Sequence, residues 1–365
     1  LNTTTLRELT SADGPFASVY FEDSHDTADA AKQLELKWRE LREALAGQGA
    51  PESTLDALED AVHTGEHPVG RGGRGLLTAG TEVVLDEHFP EPPAAPVARF
   101  SAYPYLLPLA EYAEAGPVHV VAVVDQVGAD LSAYDAYRQP LEVYTVEGHD
   151  HPVHKVRGGG SAHRDIQSHT EETVRHNVEA VAEEITDLAQ RVGAEIVVLA
   201  GEVQARRAVH NGMPEQTRRI TTEIATGARS EGSSHEELDR EVGALLDAAK
   251  REHRQDVLER FDAELGRDTG LAVQGLEAVT TALREGNVRV LLTADPGDAM
   301  ICTGTGTSRI AVARAELEAL GETEVCECRA DEAIPAAAVA VGASLVHVGE
   351  ERTLTEGFGA LLRHG

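Results

Sequence analysis

The sequence predicts a multidomain protein of mixed α/β and α+β class, with three domains over residues 1–115, 116–268 and 269–365. Three observations lead there. A chain of 365 residues exceeds one compact core and fits two or three domains. Its 41% hydrophobic and 26% charged content lies in the globular range. The hydrophobic pattern also changes character along the chain, from mixed helix and strand, to a meander with long helices, to a clean helix–strand alternation.

In the first segment, Pro15 to Phe21 reads as a strand, and Asp23 and Ser24 read as helix-cap signals. Ala31, Leu34, Trp38, Leu41 and Leu45 then recur at helical spacing. The Gly/Pro break from Ala46 to Thr54 separates them from a second helix, Leu55 to Val62. Gly75 to Gly80 and Thr81 to Leu85 predict two strands around a glycine turn, and Pro90, Pro92, Pro93 and Pro96 mark a loop.

The second segment opens with Val118 to Val124, a nearly all-apolar run that predicts a strand buried on both faces. Strands over Asp130 to Tyr134 and Leu141 to Val146 continue it. Val174, Val178, Val181, Ile185, Leu188 and Val192 outline a helix, Glu195 to Ala200 a buried strand, and Val203 to Val209 another helix. One long amphipathic helix from Ser234 to Leu265 fits a connection between two domains.

The third segment alternates. A helix carrying Leu276, Val279 and Leu283 precedes the strand Val288 to Thr293 and a Gly/Thr-rich stretch at 303–307. A helix from Ala311 to Leu320, a strand from Glu324 to Cys328, a helix from Glu332 to Val341 and a strand from Ala343 to Val348 follow. That order predicts an α/β/α sandwich.

Composition excludes several classes. A net charge of −31 opposes indiscriminate binding to DNA or anionic membranes. Aromatics at 4% argue against the stacking platforms of single-strand binders. Cys302, Cys326 and Cys328 are too few for a disulfide framework and lack metal-pair spacing. No long apolar run or leader pattern is seen, so a soluble, cytoplasmic protein is expected.

The stretch Val156-Arg157-Gly158-Gly159-Gly160-Ser161-Ala162-His163-Arg164 departs from this acidic background. From Val153 to Arg164 there is no acid, while Lys155, Arg157 and Arg164 are present. A basic glycine-rich tip brings backbone close to a polyanion, because no Cβ intrudes. Taken alone, such a tip is more often just a solvated loop.

With Arg175-His176-Asn177-Val178, this tip resembles the middle domain of archaeal and eukaryotic class-1 release factors, whose loop reads Arg-Gly-Gly-Gln-Ser-Ala-x-Arg. Gly275-Leu276-Glu277, the closing Gly357-Phe358-Gly359 and the N-terminal Gly75 to Gly80 are similar to that superfamily's other domains. Within it the chain is most similar to a bacterial branch that includes Balon-type hibernation factors and relatives of the Vms1-type peptidyl-tRNA hydrolases. The resemblance implies a decoding-site-like domain, a middle RNase H-like domain with a projecting glycine-rich loop, and a C-terminal domain facing translational GTPases. It also implies a 70S ribosome partner, engaged at the A site through rRNA of both subunits, and an elongation-factor-Tu-type GTPase. No cofactor is implied.

Two departures narrow it. Gly160 stands where release factors carry glutamine, so the side chain that would orient water at the ester is missing. The segment from Ala46 to Thr54 contains no Asn-Ile-Lys-Ser stop-codon motif. The expectation is therefore an A-site occupant without efficient peptide release, acting in hibernation or protection under stress. The rival is a peptidyl-tRNA hydrolase or rescue release factor using the same tip. Lys155, Arg157, Gly158, Gly159, Gly160, Ser161 and Arg164 are the expected rRNA and peptidyl-transferase-centre contacts, and no catalytic side chain is assigned.

Other features have plainer readings. Arg71 and Arg74, in a second basic glycine loop, read as a decoding-region contact or as a hairpin connection. His149, His151, His154 and His163 crowd the tip without the spacing of a metal site. Gly304-Thr305-Gly306-Thr307-Ser308 lacks the Lys-Ser/Thr of a phosphate loop. Asp125 ends a buried strand where an RNase H-like nuclease places a metal carboxylate, but turn chemistry accounts for it more simply. His176-Asn177 packs the base of the tip or caps the core.

Overall fold

The structure, a computed structural model, describes residues 9–10, 12–25, 29–64, 72–89, 91–112, 116–136, 138, 140–147, 162–226, 235–267, 270–349 and 352–365, with the backbone alone at 162–174 and 235. The chain forms two compact units, one of residues 1–114 with 254–365 and one of residues 115–253.

In the unit that holds both ends of the chain, β1 (Phe16–Glu22), β2 (Gly73–Ala79), β3 (Glu82–Phe89) and β4 (Val97–Ser101) form an antiparallel sheet in the order β3-β2-β1-β4. The helices α1 (Ala30–Gly47) and α2 (Glu52–Thr64) cover one face. Strand alternation points Ala17, Val19 and Phe21 at Leu34, Trp38, Leu41, Leu55 and Leu58. Gly80 takes the positive φ of 60° at the β2–β3 turn, as the glycine signal predicts. One expectation is corrected here. Asp23 and Ser24 do not cap a helix; α1 starts at Ala30 behind Asp29, which makes no side-chain cap bond. β4 and the short helix α3 (Leu107–Tyr112) escaped the sequence reading, being brief and proline-flanked.

The same unit contains a second sheet in the order β10-β16-β11-β15, built from β10 (Ala272–Gln274), β11 (Val288–Thr293), β15 (Ser344–His347) and β16 (Phe358–Leu362). β11 and β15 run parallel and the other pairs antiparallel. A small sheet of β12 (Met300–Thr303), β13 (Ile310–Ala311) and β14 (Cys326–Arg329) stands beside it. Further helices among the described residues are α4 (Ala162–Val192), α5 (Val203–Gly212), α6 (Glu215–Arg219), α7 (His235–Leu265), α8 (Leu276–Arg284), α9 (Arg314–Ala319) and α10 (Ala330–Ala340). Leu291, Phe358 and Ala360 pack against α8 and α10. Val290, Leu292 and Leu361 on the other face pack against Val257 and Phe261 of α7. Helices thus flank both faces, but one face is covered by a helix that precedes residue 269. The helix expected from Ala311 shortens to Arg314–Ala319, because Ile310 and Ala311 pair with β12.

The other unit is a five-stranded sheet of β5 (His119–Val124), β6 (Gly128–Tyr134), β7 (Pro140–Glu147), β8 (Ile196–Gly201) and β9 (Thr221–Glu223), ordered β7-β6-β5-β8-β9. β5, β6 and β7 form an antiparallel meander; β8 joins β5 in parallel and β9 joins β8 in parallel. Counted within the unit this is order 3-2-1-4-5, that of an RNase H-like sheet. Val120, Ala122 and Val124 pack on α4 and α5, and Val121 and Val198 on Leu238, Val242 and Leu246 of α7. Both faces of β5 are buried, which is why its sequence is apolar without alternation.

Gly201 fixes the β5–β8 pairing. Its φ is +110°, and a Cβ there would lie 2.1 Å from the Val124 carbonyl oxygen. Gly201→Ala is expected to destabilise this unit by about 3 kcal/mol or more, combining strain with a backbone clash. Hydrogen exchange under mild urea checks it: β5 and β8 amides should lose protection while β1 and β2 amides keep theirs. Equal protection in variant and parent would contradict the assignment.

Candidate functional site

The element that leads from the basic glycine stretch is α4, which begins at Ala162, directly after Ser161. At 31 residues it is about 46 Å long, whereas six-residue β5 and β8 reach only about 20 Å. Its C-terminal end is pinned. Gly193 turns the chain at φ 67°, and the Glu195 N–H donates to the Val118 carbonyl at 2.8 Å, level with the start of β5. The surplus of more than 20 Å therefore extends past the C-terminal ends of β5 and β8, toward residue 161. Lys155, Arg157, Gly158, Gly159, Gly160 and Ser161, with His149, His151 and His154, lie outside the described residues, as do the side chains of His163 and Arg164.

The lower half of α4 is held firmly. Arg191 donates from Nε and Nη2 to the two carboxylate oxygens of Glu142 on β7, at 3.0 and 2.9 Å. That contact holds the Glu142 carboxyl below its usual range. The Tyr144 hydroxyl donates to Glu184 at 2.7 Å. Gly212 of α5 lies close to Ala182, where an added Cβ would sit 3.4 Å from the alanine methyl. At the root of the overhang the two residues of the His-Asn pair part company. His176 is exposed, while Asn177 is buried at 4% exposure, with no hydrogen-bond partner for Nδ2 among the described residues. Arg175 is exposed and lies 3.8 Å from Glu179.

At the strand ends below, Asp125 Oδ1 accepts the N–H groups of Val127 and Gly128 at 2.7 and 2.8 Å, the turn chemistry its sequence setting predicts. Arg206, which the sequence reading missed, is buried; it donates to Glu223 at 2.8 Å and to the Ile224 carbonyl. No cluster of three or more His, Cys, Asp or Glu suited to a metal occurs among the described residues.

Arg74 requires a correction. Arg71 lies outside the described residues, but Arg74 is fully buried in β2. Its Nε and Nη2 each donate to Asp86 at 2.8 Å, Nη2 also reaches the Ala61 carbonyl at 2.9 Å, and Asp23 Oδ2 stands 3.6 Å from Nη1. His25 lies 2.9 Å from Asp23. A guanidinium so enclosed does not reach a phosphate. The signal was strand parity: Leu76 faces the α1 and α2 layer, so Arg74, two residues earlier, faces it too. Arg74→Ala should cost roughly 3–5 kcal/mol, because Asp23 would be left buried without its counter-charge. Urea denaturation checks this, and Asp23→Asn added to Arg74→Ala should recover part of the loss.

A second charged cluster joins the N- and C-terminal segments of that unit. Arg329 clamps Asp331 from Nε and Nη2 at 2.9 and 2.8 Å and reaches Asp298 at 2.9 Å. Arg99 lies 3.9 Å from Asp331 and 5.3 Å over the Tyr105 ring. Glu332 is buried beside them, and that burial, with Asp331 alongside, pushes its carboxyl above the usual glutamate range against the pull of Arg99 and Arg329. A carboxyl with a raised folded-state pKa holds its proton more tightly in the folded protein. Stability therefore falls as pH rises from the unfolded value, about 4.3, through the folded one, and stays reduced above it. Glu332→Gln should remove that loss. Its urea midpoint should match the parent's near pH 4 and exceed it at pH 7; a difference independent of pH would refute the reading.

The Gly/Thr stretch at 304–308 is a turn whose Thr305 N–H donates to Glu322 Oε2 at 2.8 Å, which lowers that carboxyl's pKa. A donor satisfied by a carboxylate is not cradling phosphate. Cys302, Cys326 and Cys328 are free thiols, and burial pushes Cys328 up to about 12. No helix among the described residues is long and apolar enough to cross a membrane.

Comparison with known proteins bears directly on the unit that carries α4. A family model for bacterial archaeo-eukaryotic release factor family 2 matches residues 118–267. The uncharacterized protein Rv2629 of Mycobacterium tuberculosis strain H37Rv is 38% identical over 360 residues, 98% of this chain and 96% of its own. Among solved structures, the archaeal termination factor aRF1 is 18% identical with a TM-score of 0.28, covering 100% of this chain and 98% of its own. Pelota of Archaeoglobus fulgidus is 12% identical with a TM-score of 0.37, covering 100% and 93%. A ribosome-bound archaeal Pelota with ABCE1 is 14% identical with a TM-score of 0.40, covering 99% and 94%. Residues 118–267 belong to bacterial archaeo-eukaryotic release factor family 2, which makes the chain a bacterial member of the release-factor superfamily. The resemblance carried by the glycine tip and the closing Gly-Phe-Gly pointed to this superfamily.

Proposed function

We propose that this protein is a cytoplasmic ribosome-binding factor that fills the A site without efficiently releasing peptide, silencing or protecting idle ribosomes. The observation that supports the reading is the overhang of α4, whose N-terminal end at Ala162 extends more than about 20 Å beyond the sheet that anchors it. A reach of that kind suits a tip that must enter a deep cavity. Membership of a release-factor family supports a ribosomal partner.

In this reading residues 1–115 face the decoding region, 116–268 deliver the tip and 269–365 face an elongation-factor-Tu-type GTPase. Lys155, Arg157 and Arg164 contact rRNA phosphates, while Gly158, Gly159, Gly160 and Ser161 lie against the peptidyl-transferase centre. Phosphate contacts of this type fix position and are salt-sensitive. Gly160 supplies a backbone N–H but no amide side chain, which weighs for occupancy over hydrolysis.

Purified protein and 70S ribosomes carrying labelled peptidyl-tRNA test the proposal. Co-sedimentation with little peptide release is expected. Arg157→Glu should weaken binding about tenfold and flatten the log–log salt dependence by about one unit. Rapid release abolished by Gly159→Ala or Gly160→Ala would assign a hydrolase instead, and binding unchanged in Arg157→Glu across a salt titration would overturn the role of the tip.

A further inference from the structure

A groove of about 530 Å³ runs between α8 and β10, on the open edge of the β10-β16-β11-β15 sheet. Its floor includes Val273, Ala282 and Leu362, and its charged groups are Glu277, Glu285 and Glu356. We propose that this groove binds an extended, basic segment of a partner protein, which adds a strand to β10. The inference goes beyond the ribosomal reading and does not depend on it.

The backbone supports strand addition. Among the described residues β10 pairs only with β16, and the bonds Leu362 N–H to Leu271 C=O and Gly275 N–H to Phe358 C=O set the alternation. In an antiparallel ladder that pattern turns the N–H and C=O groups of Ala272 and Gln274 away from β16. No described residue takes them. Residues on an unpaired edge are a template for another chain.

Charge and spacing select the occupant. The neighbouring cations are already engaged: Arg284 donates to the Ile310 carbonyl and Glu316, and Arg363 to the carbonyls of Gly286, Val341 and Gly342. The groove is left with carboxylates alone, of which Glu277 and Glu285 are exposed. Glu277 is in the first turn of α8 and Glu285 directly follows its last residue, so they are eight residues apart, about 12 Å along the axis and about 80° apart around it. In an extended strand, side chains four residues apart point the same way and are about 13 Å apart. The match is to a segment with Lys or Arg at positions i and i+4, and small apolar residues facing the Val273 and Leu362 floor.

The test uses the full chain and a capped, β-branched peptide of about eleven residues with arginines four apart, titrated by calorimetry at low salt. Saturable binding is expected below ~1 mM. Glu277→Gln with Glu285→Gln should weaken it at least about tenfold. Moving the arginines three apart, onto opposite strand faces, should weaken it comparably. Gln274→Pro removes an outward donor while sparing the β10–β16 bonds, and should abolish binding with an unchanged circular-dichroism spectrum. If Gln274→Pro disturbs folding, a peptide N-methylated at alternate residues probes the same backbone bonds. No saturable binding, equal binding of both spacings, or indifference to the paired glutamine substitutions would each overturn the proposal. Self-association of the chain that Gln274→Pro abolishes would assign the edge to a second copy instead.

Discussion

A helix of 31 residues packed on strands of six cannot be matched along its whole length, and that mismatch organises the unit built around α4. With the C-terminal end tied to the start of β5 and β8, the excess has only one direction to go. An isolated helix of about fifteen residues is marginal in water, because nucleation is costly. The half between Val181 and Ala189 is packed in the core, and a helix fixed there leaves the remainder only the cost of propagation. The clamps at Glu142, Glu184 and Gly212 lie along that packed half and fix where the overhang points. Asn177 marks the boundary: it is the first described side chain on α4 to enter the core.

Charge is distributed by the same logic. On a molecule with net charge −31, an arginine is worth most where its field is not cancelled by neighbouring acids. Arg74, Arg206, Arg191 and Arg329 all meet carboxylates directly, and each joins segments distant in sequence. These are structural cations. Between Val153 and Arg164 the sequence supplies cations with no acid among them. The contrast is one of sequence setting: the first four are matched by acids that fold against them, and the stretch from 153 to 164 supplies no acid of its own.

Much of this architecture is visible in the sequence where burial imposes a period. The all-apolar Val118 to Val124 run becomes the doubly covered β5, and the four-and-three spacing from Val178 to Val192 becomes the packed half of α4. Signals fail where a segment depends on distant partners. Asp23 and Ser24 have the chemistry of a helix cap, yet Asp23 is drawn to Arg74, far along the chain. β10, β12, β13 and β16 are two to five residues long, and their existence rests on pairing. Gly359 in β16 shows why: the Phe261 ring lies where a Cβ would be, 2.8 Å away, and no local pattern announces a ring arriving from α7. For the candidate site, α4 was legible in its periodicity, while Arg206 and the Asp331–Glu332 cluster were not, because charges carry no period.

The tip's own composition bears on what the proposed A-site occupant does there. Catalysis by electrostatic stabilisation requires donors fixed before the charge develops, since reorganising them during reaction adds to the barrier. Glycine has the largest backbone entropy to lose, so three in succession are the costliest residues to fix in one conformation. A release factor replaces the third glycine with a side chain that reduces that cost and also contacts water. Gly158-Gly159-Gly160 removes both benefits while keeping the one property that occupancy needs, a backbone thin enough to lie against RNA. A factor selected to fill the cavity gains nothing from pre-organised donors. The same three residues that weaken the case for hydrolysis therefore strengthen the case for an obstructing role.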